Sequence, residues 1–69
     1  MTPLPNLEFL RAFVTAAEER SAKAAAERLG ITPSAVSQAI AKLERQAGAE
    51  LFVKHARPLK LTPAGSRLA

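Results

Sequence analysis

Small polar side chains that could hydrogen-bond to a ligand are concentrated between Pro33 and Gln46. In a helix, at 100° per residue, they share one face, which consists of Ser34, Gln38, Ala41 and Arg45, with Ser37 on its flank. The Gln38 amide offers one acceptor and two donors, the geometry that matches N6 and N7 of adenine, and serine hydroxyls can bond base edges or phosphates. The face is slim enough to approach a base pair closely, although an ordinary solvated helix face would also account for it.

The residue types needed for catalysis are largely missing. The 69-residue chain has no cysteine, no aspartate, a single histidine (His55) and no glycine-rich phosphate loop. A nucleophile, a base and a group that orients the base therefore cannot be assembled, and a metal site would need several donors. We expect a protein that is not an enzyme and that uses no cofactor or metal.

The positive charge is unevenly distributed along the chain. The net charge is +4, from ten Lys or Arg and six acidic residues. Residues 1–31 contain four of each sign, so the whole excess lies in residues 32–69. An electropositive half can bind a polyanion by releasing its condensed counterions, but solubilising surface charges would give the same distribution.

The start of the chain shows no membrane or export signal. Charges interrupt every apolar stretch well before the roughly 20 residues needed to cross a bilayer. Pro3, Pro5 and Glu8 stand where the apolar centre of a signal peptide would lie. We therefore expect a soluble, cytoplasmic protein.

Two helices are predicted before the polar face. Apolar residues at spacings of three and four indicate an amphipathic helix from about Asn6, its expected N-cap, to Glu19. Its apolar side consists of Leu7, Leu10, Phe13, Val14 and Ala17. A shorter helix is predicted over Ala22–Leu29, with Ser21 as its N-cap and Gly30 as its stop residue.

The third helix has the clearest boundaries. Thr32 is a good N-cap, Pro33 suits the first helical position, and Gly48 follows the predicted end near Gln46. Its core side consists of Val36, Ile40, Leu43 and Ala47. Because a three-residue turn containing Gly30 joins it to the second helix, the pattern predicts a helix-turn-helix, although ordinary helical hairpins share this spacing.

Two short apolar-rich runs, residues 50–53 and 59–62, follow Gly48. They predict a small β-hairpin, or wing, around the intervening residues 54–58. At its tip, Arg57 could enter a minor groove, with Lys54 and Lys60 near the backbone of a duplex. Solvent-exposed surface cations would look the same in the sequence.

A fourth helix is predicted at the end of the chain. Thr62 and Pro63 repeat the signal of an N-cap followed by proline. Because the chain ends soon after this start, at Ala69, we expect it to be a fragment of a longer protein.

Ordered landmarks extend across nearly the whole chain, from about Leu7 to Leu68. They are Ala25–Leu29, Ile31–Gln38, Leu43-Glu44, Gly48, Leu51-Phe52, Arg57-Pro58 and Leu61–Gly65. In this order they resemble the N-terminal domain of LysR-type transcriptional regulators. The resemblance implies a mainly α fold, a winged helix-turn-helix with a three-helix core, a short β-hairpin wing and the start of a linker helix.

The resemblance also implies a division of the chain and a partner. Residues 1–62 would form the DNA-binding domain, with the helix-turn-helix at about 22–41 and the wing at about 49–62, and residues 63–69 would begin a linker and dimerisation helix. Such a bacterial regulator would bind double-stranded DNA at imperfect inverted repeats, as a homodimer or higher oligomer, with no membrane partner.

Eight residues are expected to contact DNA, from the polar pattern and the resemblance together. They are Thr32, Pro33, Ser34, Ser37, Gln38, Lys42, Lys54 and Arg57. The family often has basic residues where this chain has Ala24, Ala39 and Ala41, which predicts fewer phosphate contacts here.

Two other functions stay open at this level. A winged helix that binds another protein would present a large apolar patch on the outer face of its third helix. A protein that packages DNA without regard to sequence would need more positive charge and no amide on that face.

Overall fold

The computed structural model describes the backbone of residues 4–69 and the side chains of residues 7–69. This part of the chain contains four helices, α1 (Leu4–Glu19), α2 (Ala22–Leu29), α3 (Pro33–Ala47) and α4 (Pro63–Leu68). The first three pack against one another in all three pairs. The predicted mainly α architecture with a three-helix core is confirmed.

The core lies where α1, α2 and α3 meet the segment that follows α3. Phe13 of α1 is fully buried, and its ring centroid lies 5.3 Å from that of Phe52, with the two rings tilted by 57°. The other buried members of this cluster are Ala16, Ala25, Ala26, Val36, Ile40 and Leu51. Alanine on α1 and α2 lets the two helices approach closely, so one aromatic pair and a few aliphatic side chains fill the interior.

Local side-chain caps fix the ends of α2 and α3. The Ser21 hydroxyl accepts a hydrogen bond from Ala24 N at 3.1 Å, and the Thr32 hydroxyl accepts one from Ala35 N at 3.0 Å. Gly30 adopts a left-handed conformation with φ 73°, which ends α2 without the cost a Cβ would impose. α2 begins and ends at the predicted residues, and α3 begins at the predicted Pro33 and ends at Ala47, one residue beyond the predicted end.

Two predictions about the first helix were wrong. The helix begins at Leu4, so Asn6 lies within its first turns and not at its N-cap. Leu7 is 56% exposed, because the buried side of α1 is centred on Ala12, Phe13 and Ala16. The predicted apolar stripe therefore lies only partly over the core.

The core side of α3 is also shorter than predicted. Val36 and Ile40 are buried and Leu43 packs against the cluster, but Ala47 is exposed. Residues 45–50 are all exposed, so the last turn of α3 projects beyond the other helices. The prediction that Ala47 faces the core was wrong for this reason.

The wing is less regular than the predicted hairpin. Within the described residues, its two limbs pair through a single antiparallel bridge between Phe52 and Leu61, with no extended strand. Two backbone hydrogen bonds flank the bridge, from Val53 N to Lys60 O at 2.8 Å and from Thr62 N to Leu51 O at 3.0 Å. The limbs meet as predicted, but they are too short to form a ladder.

α4 packs tightly against the first limb of the wing. Gly65 is buried, and a Cβ at this position would overlap the backbone carbonyl of Leu51. The Thr62 hydroxyl accepts a hydrogen bond from Gly65 N at 3.0 Å and donates one to Glu50 O at 2.6 Å. The predicted helix start at Pro63 is confirmed.

Candidate nucleic-acid interface

The outer face of α3 is exposed and polar. Ser34, Ser37, Gln38 and Arg45 are all exposed, and Ala41 between them is half-buried. The core cluster on the opposite side of the helix holds this face in a fixed orientation. Four side chains that can donate or accept hydrogen bonds are therefore presented together to a ligand.

The beginning of α3 combines its cap with an open approach. Thr32 is exposed, and its hydroxyl oxygen already accepts the hydrogen bond from Ala35 N. Pro33 is exposed at the first helical position, where it presents an apolar ring and no N–H. A ligand at this end of α3 would meet the Ser34 hydroxyl beside that ring.

A cleft of about 630 Å³ lies between this end of α3, the start of α2 and the wing. We call it the cationic cleft. Its lining residues are Arg20, Ser21, Ala22, Lys23, Pro33, Ser37, Arg57, Pro58 and Leu59. Three of them are cations and none of these lining residues is acidic. The cleft is therefore electropositive both at the start of α2 and at the wing.

A backbone contact closes the far end of the cationic cleft. Leu59 N donates a hydrogen bond to Arg20 O at 3.0 Å, which joins the returning limb of the wing to the turn after α1. Arg20 itself has φ 59°, in the left-handed region. The side chains of Arg20 and Arg57 thus lie in one cleft although they are far apart in the sequence.

A carboxylate on α3 holds the other limb of the wing. One oxygen of Glu44 accepts hydrogen bonds from Leu51 N at 2.8 Å and from Phe52 N at 3.3 Å. Glu44 is half-buried beside Ser37 and Ala41 in a second, smaller groove. The wing is therefore fixed relative to the exposed face of α3 by a residue of α3 itself.

Two of the expected contact residues lie apart from the cationic cleft. The Lys42 ammonium is 5.6 Å from the centre of the Phe9 ring, on the side of α3 that faces α1. The Lys54 ammonium lies 3.8 Å from a carboxylate oxygen of Glu50, four residues earlier in the chain, and both side chains are exposed. His55 is exposed next to Lys54 and has φ 62°.

Sequence reasoning missed two cations of the cleft, Arg20 and Lys23. The charge balance of residues 1–31 concealed them, because the sum is zero while the charges are separated in space. Two of the acidic residues, Glu18 and Glu19, pair with Arg28 at 2.8 Å and 3.0 Å. If Arg28 and its two carboxylate partners are left out of the charge sum, Arg20 and Lys23 become candidate ligand-binding cations, because they lie at or next to the turn between the first two helices.

The ion-paired group of Arg28, Glu18 and Glu19 lies outside the cationic cleft. Its hydrogen bonds to Glu18 and then to Glu19 raise the pKa of the Arg28 guanidinium above its already high ordinary value. The guanidinium is thus cationic at any physiological pH, and it neutralises part of the acidic end of α1.

The described residues contain neither a candidate metal site nor a helix that could span a membrane. No group of three or more His, Asp or Glu side chains among them is arranged to hold a metal ion. Within residues 4–69, no helix combines the length and the apolar composition needed to span a bilayer.

Comparison with known proteins identifies the family. Residues 7–66 match the family described as "Bacterial regulatory helix-turn-helix protein, lysR family". This match covers most of the chain, and the chain belongs to the LysR family. The resemblance noted in the sequence is confirmed.

Similar proteins include a curated regulator and two solved structures. The HTH-type transcriptional regulator HdfR of Yersinia enterocolitica is 48% identical over 63 residues, which are 91% of this chain and 22% of HdfR. The BenM DBD in complex with benA site 1 DNA is 39% identical with a TM-score of 0.85, covering 88% of this chain and 68% of that one. Vibrio fischeri DarR in complex with DNA is 33% identical with a TM-score of 0.83, covering 97% of this chain and 22% of DarR.

The chain spans about a fifth of the length of the curated relatives it matches, 22% in the case of HdfR. Its likeness to the BenM and DarR structures extends over 88% and 97% of this chain, respectively. These neighbours support the winged helix-turn-helix architecture, in which the single-bridge hairpin of this chain occupies the place of the wing.

Proposed function

We propose that this chain is a sequence-specific double-stranded DNA-binding module of a transcriptional regulator. In this proposal, α3 enters the major groove and the wing lies near the adjacent minor groove. Gln38, Ser34 and Ser37 meet base edges, while Thr32 and Pro33 lie at the phosphate-facing start of the helix. Arg57, Lys54 and Lys42 supply positive charge around this face.

The observation that carries the proposal is the exposed polar face of α3 beside an electropositive cleft. A protein-binding module would present apolar surface there. Among the described residues, the large exposed hydrophobic side chains are Leu7, Ile31, Val53 and Leu68, and none of them lies on α3. The solved DNA complexes of BenM and DarR, both more than 30% identical to this chain, add support from relatives.

The proposal extends to the longer protein to which such a module would belong. We propose a bacterial, cytoplasmic regulator that is not an enzyme and that binds imperfect inverted repeats as a homodimer or higher oligomer. Residues 1–62 would form its DNA-binding domain, and residues 63–69 would begin the linker helix through which the subunits associate. The similarity to the transcriptional regulator HdfR and the family match, which ends at residue 66 within α4, support this extension.

The direct test is a binding-site selection with the 69-residue chain and a randomised duplex library, at a low and a moderate salt concentration. We expect enrichment of one short base pattern, with affinity that falls as salt rises. Equal recovery of all sequences would indicate sequence-neutral DNA binding. The absence of any binding at low ionic strength would refute DNA binding and favour a protein partner.

A further inference from the structure

We propose that the cationic cleft is a phosphate-backbone clamp in which Arg20 and Lys23 act together with Arg57. This inference rests on the proposed DNA binding and specifies which side chains neutralise the phosphates. It also places in the interface two residues of the electrically neutral first half of the chain.

Positive charge from three separate parts of the chain converges on the cleft. Arg20 follows α1, Lys23 lies on α2 and Arg57 lies in the wing, yet all three line the same cleft. None of the three makes an ion pair within residues 7–69. Bringing three unpaired cations together is unfavourable for folding, and a polyanion would reverse this cost by neutralising them.

The cleft lies beside the first turns of α3. Pro33 and Ser37, from the first turns of α3, form one wall of the cleft. If α3 lies in a major groove, a strand of the duplex backbone bordering that groove passes beside these turns. One strand of DNA carries a negative charge every 3.4 Å or so, which suits a row of cations.

The two lysines outside the cleft, Lys42 and Lys54, have surroundings that differ from those of the cleft cations. Lys42 lies on the flank of α3 that faces α1, against the Phe9 ring, whereas Ser37 lies on the flank that faces the cleft. Lys54 has Glu50 as a neighbour, and that carboxylate would repel an approaching phosphate. Both lysines should therefore release fewer counterions on binding than the residues of the cleft.

The experiment measures how the association constant depends on salt for single variants of the full 69-residue chain. The cleft variants are Lys23→Gln, Arg57→Gln and Arg20→Asn, the last because asparagine tolerates the left-handed conformation at this position. The matched controls are Arg11→Gln and Arg67→Gln, which remove exposed cations of α1 and α4 that do not line the cleft. Each is titrated by fluorescence anisotropy against one duplex from the selection, between about 50 and 200 mM salt.

We expect each cleft variant to reduce the slope of log K against log salt by about 0.9 and to weaken binding about eight-fold at 0.1 M salt. The controls should leave both quantities nearly unchanged. All variants should select the same base pattern as the parent chain, because a phosphate contact carries no sequence information. Far-UV circular dichroism establishes that each variant remains folded.

Three results would overturn the clamp. They are an unchanged slope in folded Lys23→Gln and Arg20→Asn, equal slope changes in the cleft variants and the controls, or an altered base pattern in a cleft variant. In each case the parent chain would still bind a preferred sequence, so the proposed function would stand without the clamp. If the parent chain binds no duplex, the proposed function fails first, and that outcome is distinct from the other three.

Discussion

The helix-turn-helix and the wing are held by different kinds of interaction. In α2 and α3, each helix start is fixed by a hydroxyl that bonds a backbone N–H three residues later, at Ser21 and at Thr32. The wing has one β-bridge and depends on groups that are distant in the sequence, chiefly Glu44 and the Arg20 carbonyl. The starts of α2 and α3 are thus specified locally, whereas the placement of the wing cations depends on tertiary contacts.

This difference has a consequence for binding. Arg57 and Arg20 line one cleft only because the wing is attached to the turn after α1 and to α3. A change that loosens the wing should disperse the cleft charges while leaving the polar face of α3 intact. Affinity and salt dependence would then change more than base preference.

The largest effect is expected from Gly65→Ala at the contact between α4 and the wing. The added Cβ would overlap the Leu51 carbonyl, which is backbone and cannot rotate away. We expect a loss of about 3 kcal/mol in the free energy of unfolding, measured by urea denaturation. Gly48→Ala is the matched control, because its Cβ would meet open space and only the left-handed φ of 70° is unfavourable, costing about 1 kcal/mol. Equal losses in the two variants would contradict the tight contact.

The next effect is expected from Glu44→Ala. This change leaves the N–H groups of Leu51 and Phe52 without their carboxylate acceptor, so we expect unfolding to become easier by about 2 kcal/mol. Glu44→Gln keeps one acceptor oxygen and should lose about half as much. Urea denaturation distinguishes the two variants. If Glu44→Ala leaves the free energy of unfolding unchanged, the wing is held by other contacts.

The smallest of these effects is expected in the helix-turn-helix. Thr32→Ala removes a single cap and should cost about 1 kcal/mol, whereas Thr32→Ser keeps the hydroxyl and should cost less. Thermal or urea unfolding followed by circular dichroism measures both. A larger loss for Thr32→Ala than for Glu44→Ala would reverse the ranking of the two regions.

The same difference explains how much of the structure the sequence could predict. The caps at Ser21 and Thr32 and the stop at Gly30 are signals contained within a few residues, and the boundaries they predicted were confirmed. The predicted burial of Leu7 and Ala47 was wrong, because the burial of a residue near a helix end depends on how far the neighbouring helices extend. The wing was predicted as a two-stranded hairpin, since the sequence does not show that a Glu44 carboxylate replaces ladder hydrogen bonds.

The candidate site also has one part that the sequence could predict and another that it could not. The polar face of α3 followed from helical periodicity alone, and Ser34, Ser37 and Gln38 are exposed on it together. Arg20 and Lys23 could not be recognised as cleft residues, because their proximity to Arg57 arises only in the folded chain. Lys42 likewise lies outside that cleft because of how α3 packs against α1.

The central claim is that the exposed amide of Gln38 meets a base edge in the major groove. The most direct measurement is a binding-site selection with Gln38→Ala beside Gln46→Ala, a control of the same residue type near the exposed end of α3. We expect Gln38→Ala to lose discrimination at one or two base pairs, worth about 1–3 kcal/mol, while Gln46→Ala keeps the parent pattern. An unchanged base pattern in a folded, DNA-binding Gln38→Ala variant would contradict the account.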